Sequence, residues 1–301
     1  MGSQIVQLVR ALSQPVLLEH DTLVKLAQIF QRKLGGEAFD GAELHAELGA
    51  ATPAQRGKAA TPTTVAVIPI YGMIAQHPQS LGTSTDQIGA KLAAALSNPQ
   101  VDAILLDIDS PGGTVDGIPE LGMKIAAARG IKPITAFANS FIASAAYWLA
   151  SQADEVVVTP SGQVGSIGVY MLHEDWSQKL ASEGIKVRAI SAGKYKLEGA
   201  KWEPLDPEFE AFIQQRVDEV YGWFVKAVAA GRRDTQTNVR NGYGEGRMLG
   251  ATQSVKANLA DRVGGFDDAL AGLAKRVTLR TGPRADILRR RLELDSRTEI
   301  S

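Results

Sequence analysis

Apolar residues recur along this chain in two rhythms. Leu23, Leu26, Ala27, Ile29 and Phe30 fall at helical spacing, so residues 1–46 are expected to form a helical arm. Residues 47–63 (LGAATPAQRGKAATPTT) lose that period to Ala, Thr, Gly and Pro and read as a linker. From residue 65 the texture changes to short apolar runs of buried-strand type, at 65–70, 103–108, 133–137 and 155–159. Helical patterns at 86–97 and 115–129, and one led by Ser144, separate them. Further on, 164–171 is expected to return to the sheet, 174–183 to be helical and 186–190 to be a strand. A long helix over 206–231 and shorter ones over 252–258 and 266–275 complete the pattern. Strands alternating with helices of this length predict an α/β domain with a parallel sheet over 64–275. The charged tail, 276–301, suits either a polar helix or disorder.

Composition narrows the chemistry. The chain has 301 residues, 45% of them hydrophobic and 22% charged, which is enough for a large core in one or two domains. Its net charge of −1 argues against a dedicated nucleic-acid binder. With no cysteine there is no disulfide, thiolate metal site or cysteine nucleophile. His20, His45, His77 and His173 are scattered without metal-ligand spacing, so neither a metal nor a cofactor is expected. No apolar run approaches the ~18 residues of a membrane span, and a cytoplasmic protein without a membrane anchor is expected.

Two segments carry candidate chemistry. In NSFIASAAYWLAS, residues 139–151, Ser144 stands at the mouth of an Ala-rich helix, where helix-terminal electrostatics favour developing negative charge. A small serine can equally be a packing residue, and as a nucleophile it is inert without a base. Ser110-Pro111-Gly112-Gly113 follows an apolar strand one βα unit earlier. It is either a plain turn or a source of oxyanion-binding amides at Gly112 and Gly113, because consecutive βα loops share one edge of a parallel sheet. Other matches fail on context. Ser191-Ala192-Gly193-Lys194 has the Ser-x-x-Lys spacing, but Gly193 disfavours the helix that motif needs. Gly162, Gly165 and Gly168 lack the lysine of a phosphate loop. A triad would have to use His173, expected at a surface helix start.

Taken in order, DSPGG (109–113), SFIASAAYWLAS (140–151), VTPSGQVGSIGV (158–169), GIKVRAISAGKYK (184–196) and ATQSVKANLADRVGGFDDAL (251–270) resemble the signal peptide peptidase A (protease IV) family of serine peptidases. The resemblance covers about 64–275. It implies a crotonase-like or Clp-protease-like fold of repeated ββα/βα units and a Ser-Lys dyad, with Ser144 as nucleophile and Lys196 as general base. It also implies a homo-oligomeric ring in which neighbouring subunits complete the cleft. Two departures stand out. Ser144-Ala145-Ala146 replaces the family's Ser-Gly-Gly, and the arm, the Asp107-Ile-Asp109-Ser-Pro variant and the charged tail look more like the phage branch. That branch works as a prohead (capsid assembly) protease, so polypeptide substrates, scaffold and capsid proteins, are implied. A crotonase-fold acyl-CoA enzyme and a bacterial signal-peptide-degrading peptidase are the alternatives.

A pocket walled by Ala145, Ala146, Tyr147 and the segment Gly165, Ser166, Ile167 and Gly168 would be uncharged. Profiling against a peptide library should therefore show a broad preference for small or apolar residues before the scissile bond. Charged side chains should be disfavoured there, since an apolar slot cannot satisfy a buried charge.

Overall fold

The computed structural model describes residues 16–18, 63–78 and 82–281. A central sheet is built from β2 (Val65–Tyr71), β5 (Ala103–Ser110), β7 (Ile134–Ala143), β8 (Glu155–Val158), β9 (Gln163–Gly165), β10 (Met248–Gly250) and β11 (Arg262–Val263). The path β2–β5–β7–β9 is parallel throughout, and β10 adds antiparallel to β9. β8 pairs parallel with β7 on one side and β11 on the other. A smaller sheet lies beside it, with β1 (Val16–Leu18), β6 (Gly112–Thr114), β3 (Met73–Ala75) and β4 (Gly82–Ser84) in that order. The expected α/β architecture with a parallel sheet is what the chain adopts.

The sheet is buried on both faces, which is why its strands read as continuous apolar runs. Side chains alternate along a strand. Even positions of β5, Ile104, Leu106 and Ile108, enter the main core with helices α1 (Thr85–Ser97), α2 (Ile118–Ala128) and α3 (Ala145–Ser151). Odd positions, Ala103 and Leu105, pack with Phe137, Val157, Ala269, Leu270 and Leu273 beneath helix α8 (Phe266–Thr281).

Helix α5 (Pro207–Arg232) begins with Asp206 accepting from the amides of Glu208 and Phe209. Its far half crosses α3, where Phe224 stacks on Trp148 with ring centroids 4.9 Å apart. The approach is close enough that a Cβ on Gly231 would lie 2.2 Å from the Ser151 carbonyl oxygen. At the same end Arg232 donates to the Asp261 carboxylate and to the Asn258 carbonyl, and Tyr147 donates to the Leu259 carbonyl at 2.8 Å. Tyr243 donates to Asp234, which holds that carboxyl down at about 2. The remaining helices are α4 (Ser177–Ser182), α6 (Gln236–Gly242) and α7 (Ala251–Lys256).

Several boundaries differ from the sequence pattern. β7 does not stop at 137; it runs through Asn139-Ser140 to Ala143, because neighbouring strands continue its ladder. Of the expected strand 164–171, Val164 and Gly165 pair within β9, which starts at Gln163, and Tyr170 forms an isolated bridge. The strand expected at 186–190 is absent: these residues are exposed and have no ladder partner, so β-propensity alone does not make them a strand. Helix α8 carries six residues further than expected, from 275 to Thr281, into the presumed tail. Within the expected helical arm, residues 16–18 form a strand. Leu23–Phe30, the linker up to 62 and the tail beyond 281 lie outside the described residues.

Gly231→Ala should force α5 off α3 and lower stability by about 1–3 kcal/mol, the usual range for overpacking. Urea unfolding monitored by Trp fluorescence would report it as a lower midpoint at an unchanged slope.

Candidate active site

Ser144 sits between the end of β7 and the start of α3, with φ 55° and ψ −118°. A non-glycine residue in this left-handed region is strained by about 1–3 kcal/mol, and surrounding bonds must hold it there. Two do. The Ser144 amide donates to the Gly165 carbonyl at 2.9 Å, and its own carbonyl accepts from Trp148 at 3.0 Å. This is the sharp strand-to-helix turn that lifts a serine hydroxyl clear of a sheet. Ser144 is 1% exposed, and its Oγ has no hydrogen-bond partner among the described residues. A buried hydroxyl left unpaired is uncommon and asks for a reason.

The preceding loop is built as tightly. After β5 the chain turns at Pro111 into β6, with Gly112 at φ 99°. A Cβ at position 113 would lie 1.7 Å from the Ile74 carbonyl oxygen, so only glycine fits there. Ser110 donates to the Gly72 carbonyl at 2.7 Å and accepts from the Gly112 amide at 3.2 Å. Thus one of the two expected oxyanion donors is already engaged inside its own loop. β6 packs against α3, and Ser110 pairs in register with Ile142, two residues before Ser144. The structure therefore brings the Ser110–Gly113 loop and the Ser144 turn to the same end of the sheet.

Between Ile108↔Ala138 and Ser110↔Ile142 the β5–β7 register slips, and β7 bulges over 139–141. Asp109 spans this bulge: its carboxyl takes hydrogen bonds from the Phe141 amide and the Ser140 side chain. Asp107 lies two residues back on the same face and receives the Tyr71 hydroxyl. Burial, offset by the Phe141 hydrogen bond and reinforced by the Asp107 charge, pushes the Asp109 carboxyl up to about 6. This acidic pair was not singled out for chemistry from sequence. Its signal was there in the i, i+2 spacing of two carboxylates inside an apolar strand.

Lys196 forms no hydrogen bond with Ser144. It stands exposed in a turn after Gly193, and its side chain has no partner among the described residues. Lys194 is also exposed; the Tyr195 hydroxyl at 2.9 Å and the Glu208 carboxylate hold its ammonium above the usual lysine range. That is the wrong direction for a base. His173 is half-buried, and its Nε2 lies 3.3 Å from the Glu203 carbonyl, four residues before helix α4 starts. Of the expected pocket wall, Ala145, Ala146 and Tyr147 are fully buried in the core and Ile167 nearly so; Ser166 and Gly168 keep partial exposure. Gly165 serves instead as a backbone acceptor, and a Cβ there would lie 2.5 Å from the Arg247 carbonyl.

A strained serine at a strand-to-helix turn, flanked by a glycine loop on a parallel sheet, defines a serine-hydrolase type of site. The family model described as Peptidase family S49 matches residues 126–280, and the chain belongs to that family. Capsid assembly protease C of Escherichia phage lambda is 31% identical over 86% of this chain and 63% of its own length. Head-tail preconnector protein GP5 of Enterobacteria phage P21 is 34% identical over 70% of this chain and 42% of its own. Protease 4 of Salmonella typhi is 29% identical over 76% and 36%, respectively. The chain thus spans roughly two fifths to three fifths of the length of these relatives. No helix among the described residues is long and apolar enough to cross a membrane.

The raised Asp109 carboxyl binds its proton more tightly in the folded state than in the unfolded chain. Its stabilising share is complete below the ordinary aspartate value of 3.8 and is lost as pH rises through about 6. Asp109→Asn, which keeps an acceptor for Phe141, should therefore stabilise the fold at pH 8 and have little effect at pH 4. Urea midpoints of both proteins at the two pH values check this; an equal difference at both would refute the burial effect.

Proposed function

We propose that this chain is a serine endopeptidase of crotonase-like fold in which Ser144 is the nucleophile and Lys196, supplied by a neighbouring copy of the chain, is the general base. The observation that carries the reading is the Ser144 turn: a strained, buried hydroxyl with no hydrogen-bond partner among the described residues, in a chain of peptidase family S49. Strain and an unpaired hydroxyl cost stability, and such costs collect where function needs them.

Lys196 takes the Ser144 proton as Oγ attacks the scissile carbonyl, then gives it to the leaving amine; water releases the acyl group. The Gly113 amide and the Gly112 amide, once the latter leaves Ser110, hold the oxyanion. No metal or cofactor enters the cycle. A base must be neutral when it acts, which burial of a lysine favours. Lys196 is exposed among the described residues, and packing of a neighbouring copy over it would supply that burial. The segment that carries Lys196 exposes Ile185, Val187, Ile190, Tyr195 and Leu197, with Ile190 at 92%. So much apolar surface around one lysine supports assembly into a homo-oligomeric ring. The phage relatives, named for capsid assembly and as a head-tail preconnector, support scaffold and capsid proteins as substrates, processed at the prohead in the host cytoplasm.

Ser144→Ala and Lys196→Ala should each lose on the order of 10³-fold or more in kcat/KM, while Lys194→Ala stays near wild type. Co-assembling the two dead variants should restore part of the turnover, because an intact Ser144 then meets an intact Lys196 from another subunit. Mixed assemblies that remain inactive would put the base in the same chain as the nucleophile.

A further inference from the structure

The smaller sheet contains a strand that the site chemistry does not account for. Val16–Leu18 lies antiparallel on β6, with Val16 opposite Thr114, Leu17 opposite Gly113 and Leu18 opposite Gly112. The other edge of β6 is taken by β3, which comes so close at Ile74 that residue 113 has no room for a side chain. The edge held by β1 is therefore the one through which another extended chain could pair with Gly112 and Gly113.

An extended peptide docks most simply by adding a strand to such an edge: main-chain hydrogen bonds align it whatever its sequence. The direction of β1 matters. Passing from residue 16 to 18 it advances from Thr114 to Gly112, toward Ser110, whose partner Ile142 stands two residues before Ser144. A chain running this way carries its next peptide bonds toward the Ser144 turn. The three residues are Val-Leu-Leu, and the pairing that aligns them is made by the main chain.

The geometry points to residues 16–18 as a built-in pseudosubstrate: the chain's own N-terminal segment occupies the strand position that a polypeptide substrate must take on β6. This rests on the peptidase reading of Ser144 and adds self-competition to it. Substrate binds only to the fraction of molecules in which β1 has left, so its apparent affinity is lowered by that fraction.

The test uses the full chain carrying Ser144→Ala, with and without Leu17→Pro or Leu18→Pro, and a fluorescent peptide of residues 12–22. In an edge strand such as β1, alternate N–H groups face the neighbouring strand, and proline breaks the pairing where it removes one of those. Leu17→Pro and Leu18→Pro are therefore made side by side and the one that releases β1 is read. Anisotropy should show the peptide binding at least about fivefold more tightly to that variant, as expected if β1 is docked most of the time. In the catalytically intact background, the same substitution should lower KM for a peptide substrate with kcat unchanged, and the 12–22 peptide should inhibit competitively. Equal affinity in the parent and both proline variants, or binding to none of them, overturns the inference. Labelling of the intact protein by a fluorophosphonate at Ser144 is read separately. Label with equal affinities sinks the pseudosubstrate alone, whereas no label and no turnover sinks the peptidase reading and this inference with it.

Discussion

The hydrogen bond from the Ser144 amide to the Gly165 carbonyl is what the arrangement around it depends on. β7 must pair with β8 over residues 135–138 and with β9 over 141–143. It also faces β5 across its whole length, and the slip in that register leaves the bulge at 139–141. The strand therefore ends in a place set by three neighbours. At that end a left-handed serine turn is cheaper than leaving a buried amide without an acceptor. The turn aims α3 back across the sheet, and the close crossing of α3 with α5 at Gly231 follows from it.

Polar groups inside the molecule divide into two kinds. Those around Arg232, Asp261, Asn258, Asp234 and Tyr243 form a joined set of ion pairs and hydrogen bonds that ties α5 to the chain after α7. They hold the scaffold. Near the Ser144 turn the accounting differs: Ser144 Oγ and Asp109 Oδ1 are buried without hydrogen-bond partners among the described residues, and the Asp109 carboxyl resists ionisation. Native interiors rarely keep such groups unless the site uses them. The contrast within one protein marks the Ser144 end of the sheet as the candidate site independently of any family likeness.

The lysine-bearing segment obeys a different rule from the core. Its residues are apolar enough to pack, yet among the described residues they find no sheet edge and no covering helix. Lys194 is pinned as an ammonium by Tyr195 and Glu208, while Lys196 is left uncommitted. In the function proposed for this chain, a nucleophile completed within one copy and a base completed by a neighbour would keep the protease inactive until it assembles, and the proposed docking of residues 16–18 on β6 would add to that restraint.

Much was legible from residue order. Apolar runs of period-independent, buried type located β2, β5, β7 and β8, because a strand covered on both faces has no polar side to obscure it. The spacing of small residues around Ser144 and the Ser-Pro-Gly-Gly turn marked the candidate site, since close backbone approach leaves a direct compositional trace. Where the sequence misled, the deciding contacts were non-local. Residues 186–190 have strand composition but no partner, and β7 outran its apolar run because β9 extended the ladder. Residues 16–18 became a strand only because the edge of β6 was there to receive them. The positive φ of Ser144 and the raised Asp109 carboxyl are likewise products of packing. Residue types specify which chemistry is available. Burial, register and the acceptor each amide finds decide which of it is made ready, because those quantities exist only once distant parts of the chain have met.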